Sequence, residues 1–165
     1  MTTTSGTAKV TLPADNQILI TREFAAPRTN VWRAYTEPEL IKRWWAGRKG
    51  TVTSVVLDLR VGGGWRYVMT ANAGFEVAFH GEYREIDAPS RLVNTEAFEG
   101  VPDPEGTAGV VTVTLTERDG RTHLAALCEY PDKAIRDMVI DSGMESGMQE
   151  SYDALEEIAV ALAAA

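Results

Sequence analysis

The chain has 165 residues, 44% hydrophobic and 24% charged, which suits one globular domain with a sizeable core. Its 16 Lys and Arg against 24 Asp and Glu leave a formal charge of -8. That balance excludes a phosphate-backbone binder, whose affinity comes from basic side chains displacing counterions, so no nucleic acid partner is expected.

In chain order, residues 1–14 are polar and small and read as a disordered tail, leaving 15–165 as the domain. Gln17–Phe24 has the branched and aromatic content of a strand, ended by Ala26-Pro27. A short helix is expected over 28–35, with Val31, Trp32 and Tyr35 on one face. A second follows from Glu37-Pro38-Glu39 and carries Leu40, Ile41, Trp44 and Trp45 before Gly47 stops it. Strands are then expected over 51–60 and 65–70, joined by Gly62-Gly63-Gly64, and over 75–86, where Phe75, Val77, Phe79, Gly81 and Tyr83 alternate inward. Residues 91–99 form the next strand and 100–109 the longest loop. Val111, Val113 and Leu115 alternate with threonines in a hairpin that turns at Arg118-Asp119-Gly120 and returns over 122–130. After Pro131 one long helix is expected over 132–162, capped by Asp132, with Met144, Met148, Tyr152, Leu155 and Ala159 as its apolar stripe. The pattern predicts an antiparallel sheet with one long helix on one face, an α+β fold.

Several motifs in this order carry a resemblance. Thr36-Glu37-Pro38-Glu39-Leu40 leads to Trp44-Trp45, and Leu57-Asp58-Leu59-Arg60-Val61-Gly62-Gly63 follows. Then come Gly81-Glu82-Tyr83-Arg84-Glu85-Ile86, Arg91-Leu92-Val93 and a terminal Gly147-Met148 helix. Together they resemble the heat-shock protein 90 ATPase activator-like family, within the START-related (SRPBCC) superfamily of polyketide cyclases, plant pathogenesis-related proteins and lipid-transfer domains. The resemblance implies a helix-grip, birch-pollen-allergen-like fold: a curved antiparallel sheet with two short helices, wrapped around a long C-terminal helix. Two departures bear on a pocket. Relatives usually show Gly-Trp where this chain has Gly147-Met148, and often an aromatic where it has Glu96.

A helix-grip arrangement implies a space between sheet and helix. By parity its walls are Trp65, Tyr67, Met69, Phe79 and Tyr83 from strands and Met144, Met148 and Tyr152 from the helix, with Trp44 and Trp45 at the mouth. The same side chains could instead pack as a closed core. Soft methionines and the helix glycines Gly143 and Gly147 favour a cavity. Glu96 is the candidate catalytic group: turned inward, its carboxyl would have a raised pKa and could act as general acid or base. General burial preferences favour the solvated outer face instead. Asp58 and Arg60 share a strand face and read as a structural salt bridge. His80 and His123 read as ordinary sheet histidines, and Cys128 as buried and inert.

The lone Cys128 excludes an internal disulfide, and the two histidines lack ligand spacing, so neither metal nor cofactor is expected. No segment has the roughly 20 apolar residues of a membrane span, and residues 1–8 lack a signal-peptide core, so the expected location is the cytoplasm. Three functions stay open. The first is a binding protein for a small hydrophobic molecule, aromatic, polyketide-like or lipid-like. The second is a cyclase- or dehydratase-type enzyme using Glu96 or a histidine with Tyr67 or Tyr83. A chaperone-linked interaction domain ranks last, because the family's eukaryotic co-chaperones carry an additional N-terminal domain where this sequence shows a tail. An outer sheet face could also support a homodimer.

Overall fold

Along Gln17–Phe24 every second residue is buried, so this strand lays Ile18, Ile20 and Phe24 on the core side. The same alternation organises the rest of the sheet. A computed structural model describes residues 7–163. Its first elements are β1 (Lys9–Thr11), β2 (Gln17–Phe24), α1 (Arg28–Thr36), α2 (Pro38–Trp44), β3 (Gly50–Leu57) and β4 (Gly64–Ala71). Then follow β5 (Glu76–Asp87), β6 (Arg91–Phe98), β7 (Gly109–Arg118), β8 (Arg121–Glu129), α3 (Lys133–Asp141) and α4 (Met144–Ala163). Among the described residues the eight strands form one curved antiparallel sheet in the order β1-β2-β8-β7-β6-β5-β4-β3. This is the helix-grip architecture. Tyr152, Leu155, Ile158 and Ala159 of α4 join the core formed by Ile18, Ile20, Phe24 and Leu124 of the sheet, while α1 and α2 pack against α4.

Four expectations need correction. The segment expected as a tail contains β1, which pairs with β2 at Lys9↔Thr21 through Thr11↔Leu19. Beside it the Gln149 side chain bonds both the N–H and the C=O of Ala8, at 2.9 and 2.8 Å. Residues 1–6 of the expected tail lie outside the described residues. Second, β3 stops at Leu57, because Asp58 N–H already bonds Gly64 C=O and closes the hairpin. Asp58 and Arg60 do form a salt bridge, at 2.6 Å, but in the exposed turn. Third, Phe75 precedes β5 and is 60% exposed.

Fourth, the long C-terminal helix is α4, and the segment 132–162 expected as one helix is divided between α3 and α4. Asp132 caps α3 as expected, accepting from Ile135 N–H at 2.9 Å. The helix then ends at Ser142 and Gly143, whose φ of +83° is the left-handed conformation glycine adopts without a Cβ penalty. Arg136 fixes the separate direction of α3 by donating to the carbonyls of Ala14 and Gln17, at 3.0 and 3.3 Å. The two helix-region glycines therefore differ in kind. At Gly147, inside α4, an added Cβ would meet nothing within 4 Å, so Gly147→Ala should stabilise by about 0.5–1 kcal/mol. Gly143→Ala should destabilise by about 1 kcal/mol, since the break needs the left-handed backbone. Urea denaturation of both variants checks the opposite signs; equal shifts would mean that 132–162 behaves as one helix.

Candidate functional site

Where α4 runs from Met144 to Tyr152, packed core gives way to a cavity of about 860 Å³. The empty volume decides between the closed core and the open one, and it lies within the usual range for small-molecule sites. Trp65 and Tyr67 of β4 and Phe79 and Tyr83 of β5 form one wall. Met144, Met148 and Tyr152 of α4 form another, with Trp44 and Trp45 beside them.

Met69 does not reach the wall. It shares the face of Trp65 and Tyr67 but lies farther along β4, buried beside Gly50. Parity gave its face correctly and could not give its distance along the strand. Nor is Trp44 at the mouth, while Trp45 is half-buried. Trp44 is buried, its indole N–H donating to Ala34 C=O at 2.8 Å, and Trp45 sets its edge against Tyr67 and Phe79, with ring centroids at 5.4 and 5.6 Å. Exposed residues of the rim come from Pro102 and Asp103 in the β6–β7 loop and from Met138 and Ser142 at the end of α3. The only sequence signals for it were the length of that loop and the apolar residues Ile135, Met138 and Val139.

The rim loop is held from the outer face of the sheet. His80 bonds Glu99 at 2.8 Å and also contacts Glu105, while Arg66 grips Glu99 with two bonds of 2.9 Å. The Arg66 guanidinium, with help from His80, lowers Glu99 to a pKa of about 2, and the two carboxylates raise that of His80. His80 thus ties one strand to the loop that borders the mouth.

Inside, the polar tips of the aromatic residues bond each other. Tyr35 and Tyr152 hydroxyls lie 2.9 Å apart, and those of Tyr67 and Tyr83 interact. Trp65 donates its indole N–H to Thr95 C=O at 3.1 Å. It passes over Gly81, where a Cβ would come 1.9 Å from that oxygen and 2.6 Å from the indole nitrogen, so only glycine permits the crossing. Tyr35, placed on the apolar face of α1 by its spacing, thereby becomes part of the site.

Glu96 points into this cavity, against the expectation of a solvated outer position. Leu92, Asn94, Glu96 and Phe98 all line the wall, so β6 keeps its period of two. The carboxyl is tolerated because it faces open volume rather than close-packed carbon. The side chain is half-buried, its exposed part facing the cavity, and burial pushes its pKa up to about 7. No hydrogen bond or ion pair reaches the Glu96 side chain among the described residues. Its charge is felt by Tyr35, Tyr67, Tyr130 and Tyr152 and by Cys128. Burial, first among the causes, pushes the Cys128 thiol up to about 12, which makes it a neutral, poor nucleophile. Among the described residues no three His, Cys, Asp or Glu side chains come together as metal ligands would, and no helix is long and apolar enough to cross a membrane. His123 is exposed, away from the cavity.

Comparison with known proteins places this geometry in context. The family model described as Activator of Hsp90 ATPase homolog 1-like protein matches residues 25–159. A crystal structure of a Rhodobacter sphaeroides protein is similar with 29% identity and a TM-score of 0.84, covering 96% of this chain and 100% of that one. One from Mycobacterium smegmatis is similar with 27% identity and a TM-score of 0.82, covering 92% and 96%. A third, from Nitrosomonas europaea, has 25% identity and a TM-score of 0.82, covering 93% and 100%. No curated protein matches the chain.

Proposed function

The chain belongs to the Activator of Hsp90 ATPase homolog 1-like family, and from that premise we propose that it binds a small hydrophobic molecule between its sheet and its C-terminal helices. The observation that carries this reading is the 860 Å³ of space walled mainly by aromatic and aliphatic side chains. A packed domain has little reason to leave such a volume unfilled, since each void forfeits dispersion contacts. An aromatic, polyketide-like or lipid-like body suits the walls.

Native mass spectrometry of the purified protein tests the reading directly, by a retained small molecule or by saturable uptake of hydrophobic probes. Met148→Trp should lower probe affinity about tenfold or more, since a larger side chain in the wall imposes about 1–3 kcal/mol of overpacking on the occupied site. Absence of any probe binding to the unaltered protein, or unchanged affinity in Met148→Trp, would remove the proposal or the place of Met148 in it, respectively.

Glu96 favours a second reading, a cyclase- or dehydratase-type enzyme. A carboxyl with a pKa of about 7, free of partners and facing the cavity, can give or take a proton at neutral pH. Tyr67 or Tyr83 could hold a substrate oxygen nearby. Turnover of an identified substrate that survives Glu96→Gln unchanged would end that role. Co-chaperone action draws on the family description alone, and stimulation of the chaperone's ATPase is its test.

A further inference from the structure

Resting on the binding reading above, we propose that the cavity selects a hydrophobic ligand carrying a protonated amine, whose nitrogen docks on the Glu96 carboxylate while its apolar body lies among the aromatic side chains. The charge inventory of the wall argues for this. Lys, Arg and His are missing from the cavity lining among the described residues, and the acids there are Glu96 and Asp103. Asp103 is exposed at the rim, whereas Glu96 is half-buried, faces the cavity and has neither hydrogen bond nor counter-ion among the described residues. A fatty acid or other carboxylate entering this space would meet like charge and no cation.

An ammonium group would find an acid that lacks a partner, and phenol oxygens besides. Glu96 acts electrostatically on Tyr35 from α1, Tyr67 from β4, Tyr130 from β8 and Tyr152 from α4. An ammonium beside Glu96 is therefore within electrostatic reach of phenol groups from several sides, whose oxygens can accept hydrogen bonds. Arg22, whose charge reaches Tyr152, is already engaged with Asp153 and Glu156, at 3.0 and 2.9 Å. The tyrosines and Cys128 all have raised pKa values, so around neutral pH Glu96 is the cavity group that titrates. Its proton competes with the ligand's charge. Amine affinity should therefore be near full about one unit above a pH of about 7, where Glu96 is ionised, and fall up to about tenfold per unit below it, toward that of the neutral alcohol.

Three probes with one body and different heads test the inference: naphthylethylamine, naphthylethanol and naphthylacetate, titrated calorimetrically at about pH 8 and about pH 6. The expected result at the higher pH is an amine bound about tenfold or more tighter than the alcohol, with the acetate weakest. In Glu96→Gln the advantage of the amine over the alcohol should vanish while the alcohol still binds. Because that change removes an uncompensated, half-buried acid, the variant should melt no lower than the unaltered protein at the higher pH. Alcohol binding without amine preference, or a preference that persists in Glu96→Gln, overturns the inference and leaves the cavity reading standing. Failure of all three probes overturns both.

Discussion

Replacing Asp153 and Glu156 together by alanine should destabilise the protein by about 3–5 kcal/mol, although both acids lie on the outer part of a helix. The reason is Arg22. It occupies an inward position of β2, between Ile20 and Phe24, and its side chain has no exposed surface. Its guanidinium reaches Asp153 at 3.0 Å and Glu156 at 2.9 Å, and it lies 4.8 Å from the centroid of the Phe24 ring. Its Nε–H has no partner. Taking both carboxylates away would leave a charge in the core that can neither reach water nor lose its proton. A surface pair such as Lys42 and Glu39, at 3.3 Å on α2, should contribute no more than about 0.5 kcal/mol by comparison. Urea denaturation at low and high salt separates the two, because the enclosed pair is screened far less. Adding Arg22→Met to the double variant should recover most of the loss, since an apolar chain of similar reach needs no counter-charge. A double variant no weaker than Lys42→Ala would show that Arg22 finds water in the folded protein.

Arg22 also marks where the sequence stops being informative. Period-two alternation identified β2 from Ile18, Ile20 and Phe24, and the charged residue between them gave no sign that α4 would bring two acids to it from more than a hundred positions away. The same limit governs the cavity. Parity put Trp65, Tyr67, Phe79 and Tyr83 on the concave face, and helical spacing put Met148 and Tyr152 opposite, because faces follow from local periods. Depth does not. Whether Met69 reaches the cavity, whether Glu96 faces it, and which loop borders the mouth depend on sheet curvature and on α3 turning away at Gly143, and these are set by contacts distant in sequence. Helix-forming residues on both sides of Gly143 made one long helix the natural expectation; only the φ of +83° shows the glycine used as a stop.

Phe24→Ala should lower stability by about 3–5 kcal/mol and alter the cavity as well. Phe24 is fully buried beneath α4 and meets the ring of Tyr152 edge-on, with centroids 5.8 Å apart and planes at 83°. Tyr152 stands between Phe24 and the cavity: one side of it rests on that ring, and its hydroxyl bonds Tyr35 at 2.9 Å. Removing the phenyl ring therefore leaves a choice. If Tyr152 holds its place, a sealed void remains and the cost lies near the upper figure. If Tyr152 drops into the void, part of the loss is recovered, the bond to Tyr35 breaks, and the cavity grows toward β2. Stability and probe size together tell these apart: a loss near 5 kcal/mol with unchanged probe preference means a rigid Tyr152, and a loss near 3 with a new tolerance for bulkier probes means a mobile one. Phe24→Leu, which keeps most of the volume, should cost about 1–1.5 kcal/mol and leave the cavity as it is. A Phe24→Ala protein as stable as Phe24→Leu, with the Tyr35–Tyr152 bond intact, would mean that the floor beneath the cavity does not depend on this ring.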